Sequence, residues 1–174
     1  FKMAFRRRNY EQDNELVKEF LQEFAVGTGP RQGGRKVHVY LEALRRIANR
    51  EQVALMVDME HLAQHDEELA DAVRTNALRY QRIFADVVHS LLPTLRSGEP
   101  VQHDVLDTYI EHRLMMEARQ NPDNADPLKH FPAELLRRFE VYSSEGSGKP
   151  LSIRQLRAAN IGKLVLLKGI VTRA

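Results

Sequence analysis

The sequence predicts a mainly α protein, a helical bundle with a short strand pair, followed by the first strands of an incomplete β-barrel. Three observations predict it. Apolar residues recur at helical spacing through most of residues 11–120. Two apolar runs, near residues 53 and 139, are too short for helices, and each lacks a strand partner nearby in sequence. Gly162 to Arg173 reads as a strand covered on both sides, with Leu164, Leu166, Ile170 and Thr172 on one face and Val165, Leu167 and Val171 on the other. Its Lys168-Gly169 pair is where a coiled barrel strand bends. One such strand cannot satisfy its own backbone donors and acceptors, so the chain is expected to be a fragment.

Taken in order, Phe1 to Arg8 is expected to be a flexible arm or residues foreign to a natural start, because Phe1 and Lys2 precede Met3. Its Arg6-Arg7-Arg8 run reads as solvated. Glu11 to Phe24 predicts the first amphipathic helix, with Leu16, Val17, Phe20, Leu21 and Phe24 in phase and acids early, where the helix dipole favours them. Five glycines and prolines between Ala25 and Gly34 predict a loop. Val37 to Asn49 predicts a second helix with Tyr40, Leu41, Leu44, Ile47 and Ala48 on its stripe.

Val53 to Val57 alternates as a short strand, and Asp58 caps a helical turn over Met59 to Ala63. The longest helix is expected from Glu67 to Leu92, capped by Asp66 and stopped by Pro93. A further helix, Asp104 to Gln120, is expected to bury Leu106, Tyr109, Ile110, the stem of Arg113, Leu114 and Met116. Pro132 suits the first position of a short helix over Ala133 to Arg138, after which Phe139 to Tyr142 extends and pairs with Val53 to Val57. Ser143 to Lys149 carries no packing signal and predicts a flexible connection.

Composition excludes several function classes. No apolar stretch approaches the roughly 20 residues of a membrane span. The chain has no cysteine, which removes disulfides, thiolate metal sites and a cysteine nucleophile. A formal net charge of +2 is uninformative, but its distribution is segregated. Residues 31–50 are basic, Asp58 to Asp71 is acidic without a lysine or arginine, and the segment from Arg137 is basic again. The phosphate loop of a nucleotide hydrolase is absent, because Gly148-Lys149 runs into Pro150 and Gly162-Lys163 into Leu164. His61 and His65 have zinc-like spacing but no third ligand, so they read as surface histidines. Glu111 and His112 are adjacent on one helix and do not face each other.

Ile153-Arg-Gln-Leu, Ile161-Gly-Lys-Leu-Val and Gly169-Ile-Val-Thr-Arg resemble the opening of the oligonucleotide-binding (OB) barrel in the N-terminal region of minichromosome maintenance (Mcm) helicase subunits. Arg50 to Asp58, Val105 to Arg119 and Phe131 to Tyr142 resemble one subunit of the eukaryotic ring more than its paralogues. The similarity covers roughly Asn9 to Ala174. It implies a helical A subdomain over 9–142, a linker over 143–150 and the first strands of a truncated, incomplete OB-type barrel over 151–174.

The implied function is that of a non-catalytic part of the hexameric Mcm DNA helicase, serving ring assembly, partner contact and DNA positioning in the nucleus during replication initiation and fork unwinding. The implied partners are other Mcm subunits, with subunits three and four as ring neighbours, DNA, and loading and regulatory factors, with no membrane. No cofactor is expected in this chain. ATP, magnesium and structural zinc belong to a whole subunit, whose zinc ribbon and ATPase module lie beyond Ala174. In barrels of this type a basic face tracks the nucleic-acid backbone, which makes Arg154, Arg157, Lys163, Lys168 and Arg173 the candidate DNA contacts. Aromatic stacking residues are missing from Leu151 to Ala174, so a self-contained single-strand platform is not expected. The alternative is a stand-alone protein-protein interaction module, with the edge at Leu164 to Val171 accepting a partner strand.

Overall fold

Asn9 starts the first helix by accepting the Glu11 amide on its side chain at 3.1 Å. In the computed structural model, which describes residues 8–27, 36–97, 104–120, 133–146 and 148–172, that helix (α1) runs Tyr10–Glu23 and buries Asp13, Val17, Phe20 and Leu21. A two-residue ladder, β1 Val26–Gly27 with β2 Lys36–Val37, closes the glycine-rich loop antiparallel. Helix α2, Val39–Ala48, buries Tyr40, Leu44 and Ile47.

Helix α2 ends in a paired backbone motif, Arg50 N to Ile47 O and Glu51 N to Arg46 O. That motif places a left-handed residue after the cap, a position glycine usually holds because a Cβ is strained there. Here it is Arg50, with φ 61.

Strand β3, Ala54–Asp58, pairs with β4, Glu140–Ser144, in parallel from Ala54↔Glu140 to Asp58↔Ser144. The pairing of these two runs agrees with the sequence expectation, while β4 extends through Ser143 and Ser144, which were expected to be flexible. Leu55, Val57 and Val141 enter the core, and Met56 and Tyr142 face outward. Side chains occupy the ladder's outer edges: Gln52 Nε2 donates to Ala54 O, Asp58 N donates to Tyr40 Oη at 3.1 Å, and Gln81 Nε2 donates to Val141 O at 3.0 Å. Both edges of the two-stranded sheet are thus partly blocked against strand addition.

Helix α3, Met59–His65, is capped by Asp58, and α4, Glu67–Thr75, by Asp66. The single helix expected over 67–92 is broken. Helix α5 begins at Ala77 and continues to Leu95, with Asn76 between the two at φ −142, ψ 58. Val73 and Tyr80 are two turns apart, so the apolar stripe keeps phase across the break and periodicity does not reveal it. The break is stabilised from elsewhere: Arg74 O accepts from Leu164 N at 2.8 Å, and Ala77 N donates to Gly162 O at 3.0 Å. Pro93 lies inside α5 rather than ending it. Only one helical bond is lost so close to the C-terminus, and Thr94 Oγ1 bonds back to Leu91 O at 2.7 Å.

The core lies where α1, α2 and α5 converge, closed by α3, α4 and the inner face of the sheet. Helix α6, Val105–Gln120, departs from expectation: its one buried residue is Asp107, whereas Tyr109 is 51% and Met116 41% exposed. Helix α7 is the short Ala133–Leu136.

Residues 151–172 do not form the expected ladder. Two 3-10 turns, Ile153–Gln155 and Ala158–Asn160, are followed by extended chain with one isolated parallel bridge, Leu151↔Leu167. An apolar strand without neighbours on both edges has few bonds to make. This segment instead bonds the α4–α5 break.

Candidate nucleic-acid interface

Arg154 sits in the first 3-10 turn, Arg157 immediately precedes the second, and Lys163 follows Gly162, whose φ of +79 turns the chain so that Lys163 N reaches Asn160 O at 3.1 Å. Lys168 N donates to Leu151 O at 3.1 Å. All four side chains are exposed, and none pairs with a carboxylate among the described residues. Arg173 lies outside the described residues. The fold divides the cations rather than lining them up. Ile153 packs against Gly169, where an added Cβ would meet Ile153 Cδ1 at 3.2 Å, so the stretches carrying Arg154 and Lys168 lie together. Lys163 is held apart, at the start of α5.

An ion pair that the sequence did not reveal fixes the chain leading into this segment. Arg74 Nη2 lies 3.1 Å from Glu145 Oε1, and Arg74 Nε is 3.2 Å from both carboxylate oxygens. The hydrogen bond that Arg74 donates to Glu145 raises the Arg74 pKa further. Gly148 permits the close approach: a Cβ there would meet Glu145 Cγ at 3.1 Å. Leu164 packs partly buried against the core.

Two more carboxylates organise the surroundings. Asp13, 3% exposed, accepts from Arg8 Nη2 at 3.0 Å and Tyr80 Oη at 2.6 Å, while Arg8 Nη1 reaches Glu68 O at 2.6 Å. Arg8, the last residue of the expected arm, therefore ties the start of α1 to α4. Burial, reinforced by the Asp13 bond, pushes the Tyr80 hydroxyl well above the usual phenol range.

Asp107 is gripped by both terminal nitrogens of Arg50 and by Arg138 Nη2 at 2.8 Å. Asp104 and Asp107 also exchange backbone-to-carboxylate bonds at 3.0 and 2.9 Å. The Arg50 bonds, above all, hold the Asp107 carboxyl well below the usual carboxylate range. Both acids carried a sequence signal, since each falls on the inward stripe of its helix: Asp13 with Val17 and Phe20, Asp107 with Ile110 and Leu114.

His61 and His65, expected on the surface, are half-buried against aromatic rings. His61 lies 4.9 Å from the Phe24 ring and hydrogen-bonds Tyr40 Oη at 3.1 Å, and His65 meets Phe20 edge-on at 5.5 Å. Burial pushes Tyr40 up to about 12. Among the described residues no three His, Asp or Glu side chains come together as a metal site. These residues therefore do not fit the zinc that the resemblance implies for a whole subunit.

Residues 14–144 match the family described as "MCM N-terminal domain". The chain is 47% identical over 169 residues to DNA replication licensing factor mcm7-B of Xenopus laevis, covering 95% of this chain and 23% of that protein. It is 38% identical to DNA replication licensing factor MCM7 of Oryza sativa subsp. indica, covering 95% and 22%. It is 33% identical over 140 residues to DNA replication licensing factor mcm7 of Schizosaccharomyces pombe, covering 77% and 18%. The chain spans less than a quarter of the length of these relatives.

Proposed function

Because the chain belongs to the MCM N-terminal domain family, we propose that it acts as a non-catalytic, Mcm7-like part of the Mcm DNA replication complex in the nucleus. On this reading it contributes to ring assembly, contacts neighbouring subunits and loading factors, and positions DNA. Residues 151–172 are the start of an OB-type barrel that needs further strands to close its sheet. ATP, magnesium and zinc serve other parts of such a subunit.

The observation that carries DNA positioning is the set of exposed cations, Arg154, Arg157, Lys163 and Lys168, none with a carboxylate partner among the described residues. Side chains so placed neutralise phosphate at little desolvation cost. They sit on a segment joined to the bundle by the Leu164 N–Arg74 O and Ala77 N–Gly162 O bonds, with the Arg74–Glu145 pair fixing the chain that leads into it.

A second reading, protein contact without DNA, is favoured by the same segment's apolar exposure. Ile161 is 81%, Ile170 89% and Val171 81% exposed. The discriminating experiment measures binding of labelled single- and double-stranded oligonucleotides at about 50 and 200 mM salt, with mass in solution determined alongside. Affinity that collapses at the higher salt supports DNA positioning. No binding at the lower salt, together with salt-insensitive self-association, would replace it with the protein-contact reading.

A further inference from the structure

A groove of about 530 Å³ opens where the start of α5 meets the start of α1, lined by Tyr10, Asn76, Leu78, Arg79 and Arg82. Its floor is apolar and accessible, with Leu78 62% and Tyr10 40% exposed. Among the described residues its polar side chains have no hydrogen-bonding or ionic partner. The Asn76 side chain makes no capping bond, and Arg79 and Arg82 form no ion pair with a described residue. Three acids of the adjoining elements are committed elsewhere, Asp13 to Arg8 and Tyr80, Asp71 to Arg74, and Asp86, one turn beyond Arg82, to Arg137, while Glu11, next to Tyr10, is exposed in the first turn of α1. Lys163 adds a further cation beside the groove, because Gly162 O bonds Ala77 N at 3.0 Å.

We propose that this groove is a docking site for an acidic peptide segment of a partner protein, anchored by a large apolar side chain on Leu78 and Tyr10 and clamped by Arg79 and Arg82. Charge complementarity selects the occupant: two planar guanidiniums over an apolar floor, with no acid of their own, match carboxylates flanking an apolar residue. Arginine and tyrosine lining a concave surface is also the composition that concentrates binding energy at interfaces. A nucleic-acid strand fits less well. The Arg79 guanidinium already lies over one face of the Tyr10 ring, 4.8 Å from its centroid, and Tyr80 meets the ring at 6.3 Å, so a single tyrosine with a covered face is a poor platform for successive bases. The groove's own lining shares no residue with the cations assigned to DNA positioning, of which Lys163 alone lies beside it, and the proposal rests on Arg79, Arg82, Leu78 and Tyr10 whether or not that assignment stands.

The test uses the 174-residue chain and a fluorescein-labelled peptide of glutamate pairs separated by leucines, read by anisotropy at about 50 mM salt. Saturable binding is expected, with affinity about tenfold weaker for the double variant Arg79→Glu, Arg82→Glu. A peptide with glycine in place of leucine is expected to bind more weakly, and Leu78→Ser to reduce that leucine preference. A double reversal at Arg45 and Arg46, both exposed on α2, controls for net charge, and helical circular dichroism controls for folding. The proposal is overturned if the peptide does not bind. It is equally overturned if the Arg45/Arg46 reversal weakens binding as much as the Arg79/Arg82 reversal, or if a labelled oligothymidine of equal charge binds more tightly and loses that binding on the Arg79/Arg82 reversal.

Discussion

Arg74 holds Glu145 across 71 positions of sequence with its guanidinium, Nη2 to Oε1 at 3.1 Å, while its own carbonyl accepts the Leu164 amide at 2.8 Å. One residue thus joins the end of α4, the exit of β4 and the basic C-terminal segment. The carbonyl is available because α4 ends at Thr75.

Arg74→Ala should therefore loosen a segment that it touches only at its root. With side chains 32% and 17% exposed, the pair is partly screened, and a loss of roughly 1 kcal/mol is expected. A double-mutant cycle with Glu145→Gln should recover a coupling of about 0.5 kcal/mol or more. Hydrogen exchange should quicken at the Ala77 and Leu164 amides before it quickens in the core. Unchanged exchange at both would show that the ion pair does not hold the segment.

Asp107 makes the acid limb of stability a specific expectation. Its folded pKa is depressed, so its contribution is fully present above the ordinary value of 3.8 and is lost as pH falls below it. Asp107→Asn should lower stability at neutral pH by roughly 1–3 kcal/mol, since it removes charge-assisted bonds from two arginines. It should also flatten the loss below pH 3.8. Chemical denaturation at a series of acidic pH values checks both, and an acid limb of unchanged slope in the variant would refute the assignment.

Two tyrosines govern the alkaline limb. Tyr40 and Tyr80 both have folded values above the ordinary 10.0, so stability is intact below pH 10.0 and falls as pH rises through the range in which the unfolded phenols ionise first. For Tyr40 this loss extends to about pH 12. Phenolate absorbance should show Tyr40 and Tyr80 titrating late and together with unfolding, and Tyr40→Phe should remove the first of these. Titration of Tyr40 and Tyr80 near pH 10.0 in the folded chain would contradict the burial.

For the candidate DNA contacts, the division of cations makes a graded expectation. Arg154→Glu and Lys168→Glu lie on adjoining stretches and should be less than additive in their effect on oligonucleotide affinity. Lys163→Glu, at the start of α5, should add independently. Each contact removed should lower the salt slope by about one. Strict additivity of Arg154 and Lys168 would place them on separate surfaces.

Helix α6 gives the sharpest contrast with core positions. Phe84→Ala, at 1% exposure, should cost about 3–5 kcal/mol, while Met116→Ala should stay within roughly 0.5 kcal/mol. Thermal unfolding of the two variants distinguishes the observed fold from one in which α6 completes the bundle. A large loss at Met116 would favour the latter.

The sequence by itself determined the helices α1, α2 and α3, the caps at Asp58 and Asp66, and the pairing of the 53–57 and 139–142 runs. Each rests on local spacing, a local cap, or the need of an isolated apolar strand for a partner. The resemblance placed the chain in its family by the order of its motifs. Only the tertiary structure decided the break at Asn76, because the groups that stabilise it come from Gly162 and Leu164, far along the chain. It also decided that the 53–57 and 139–142 runs lie parallel, that His61 and His65 enter an aromatic cluster, and that α6 attaches through Arg50, Asp107 and Arg138 rather than through its apolar residues. It set Lys163 apart from Arg154 and Lys168, and it brought Arg79, Arg82 and Tyr10 to one groove. Periodicity reports which face of an element is apolar. It does not report which other element covers that face, or which distant donor satisfies a broken helix, because those are relations between residues that share no sequence neighbourhood.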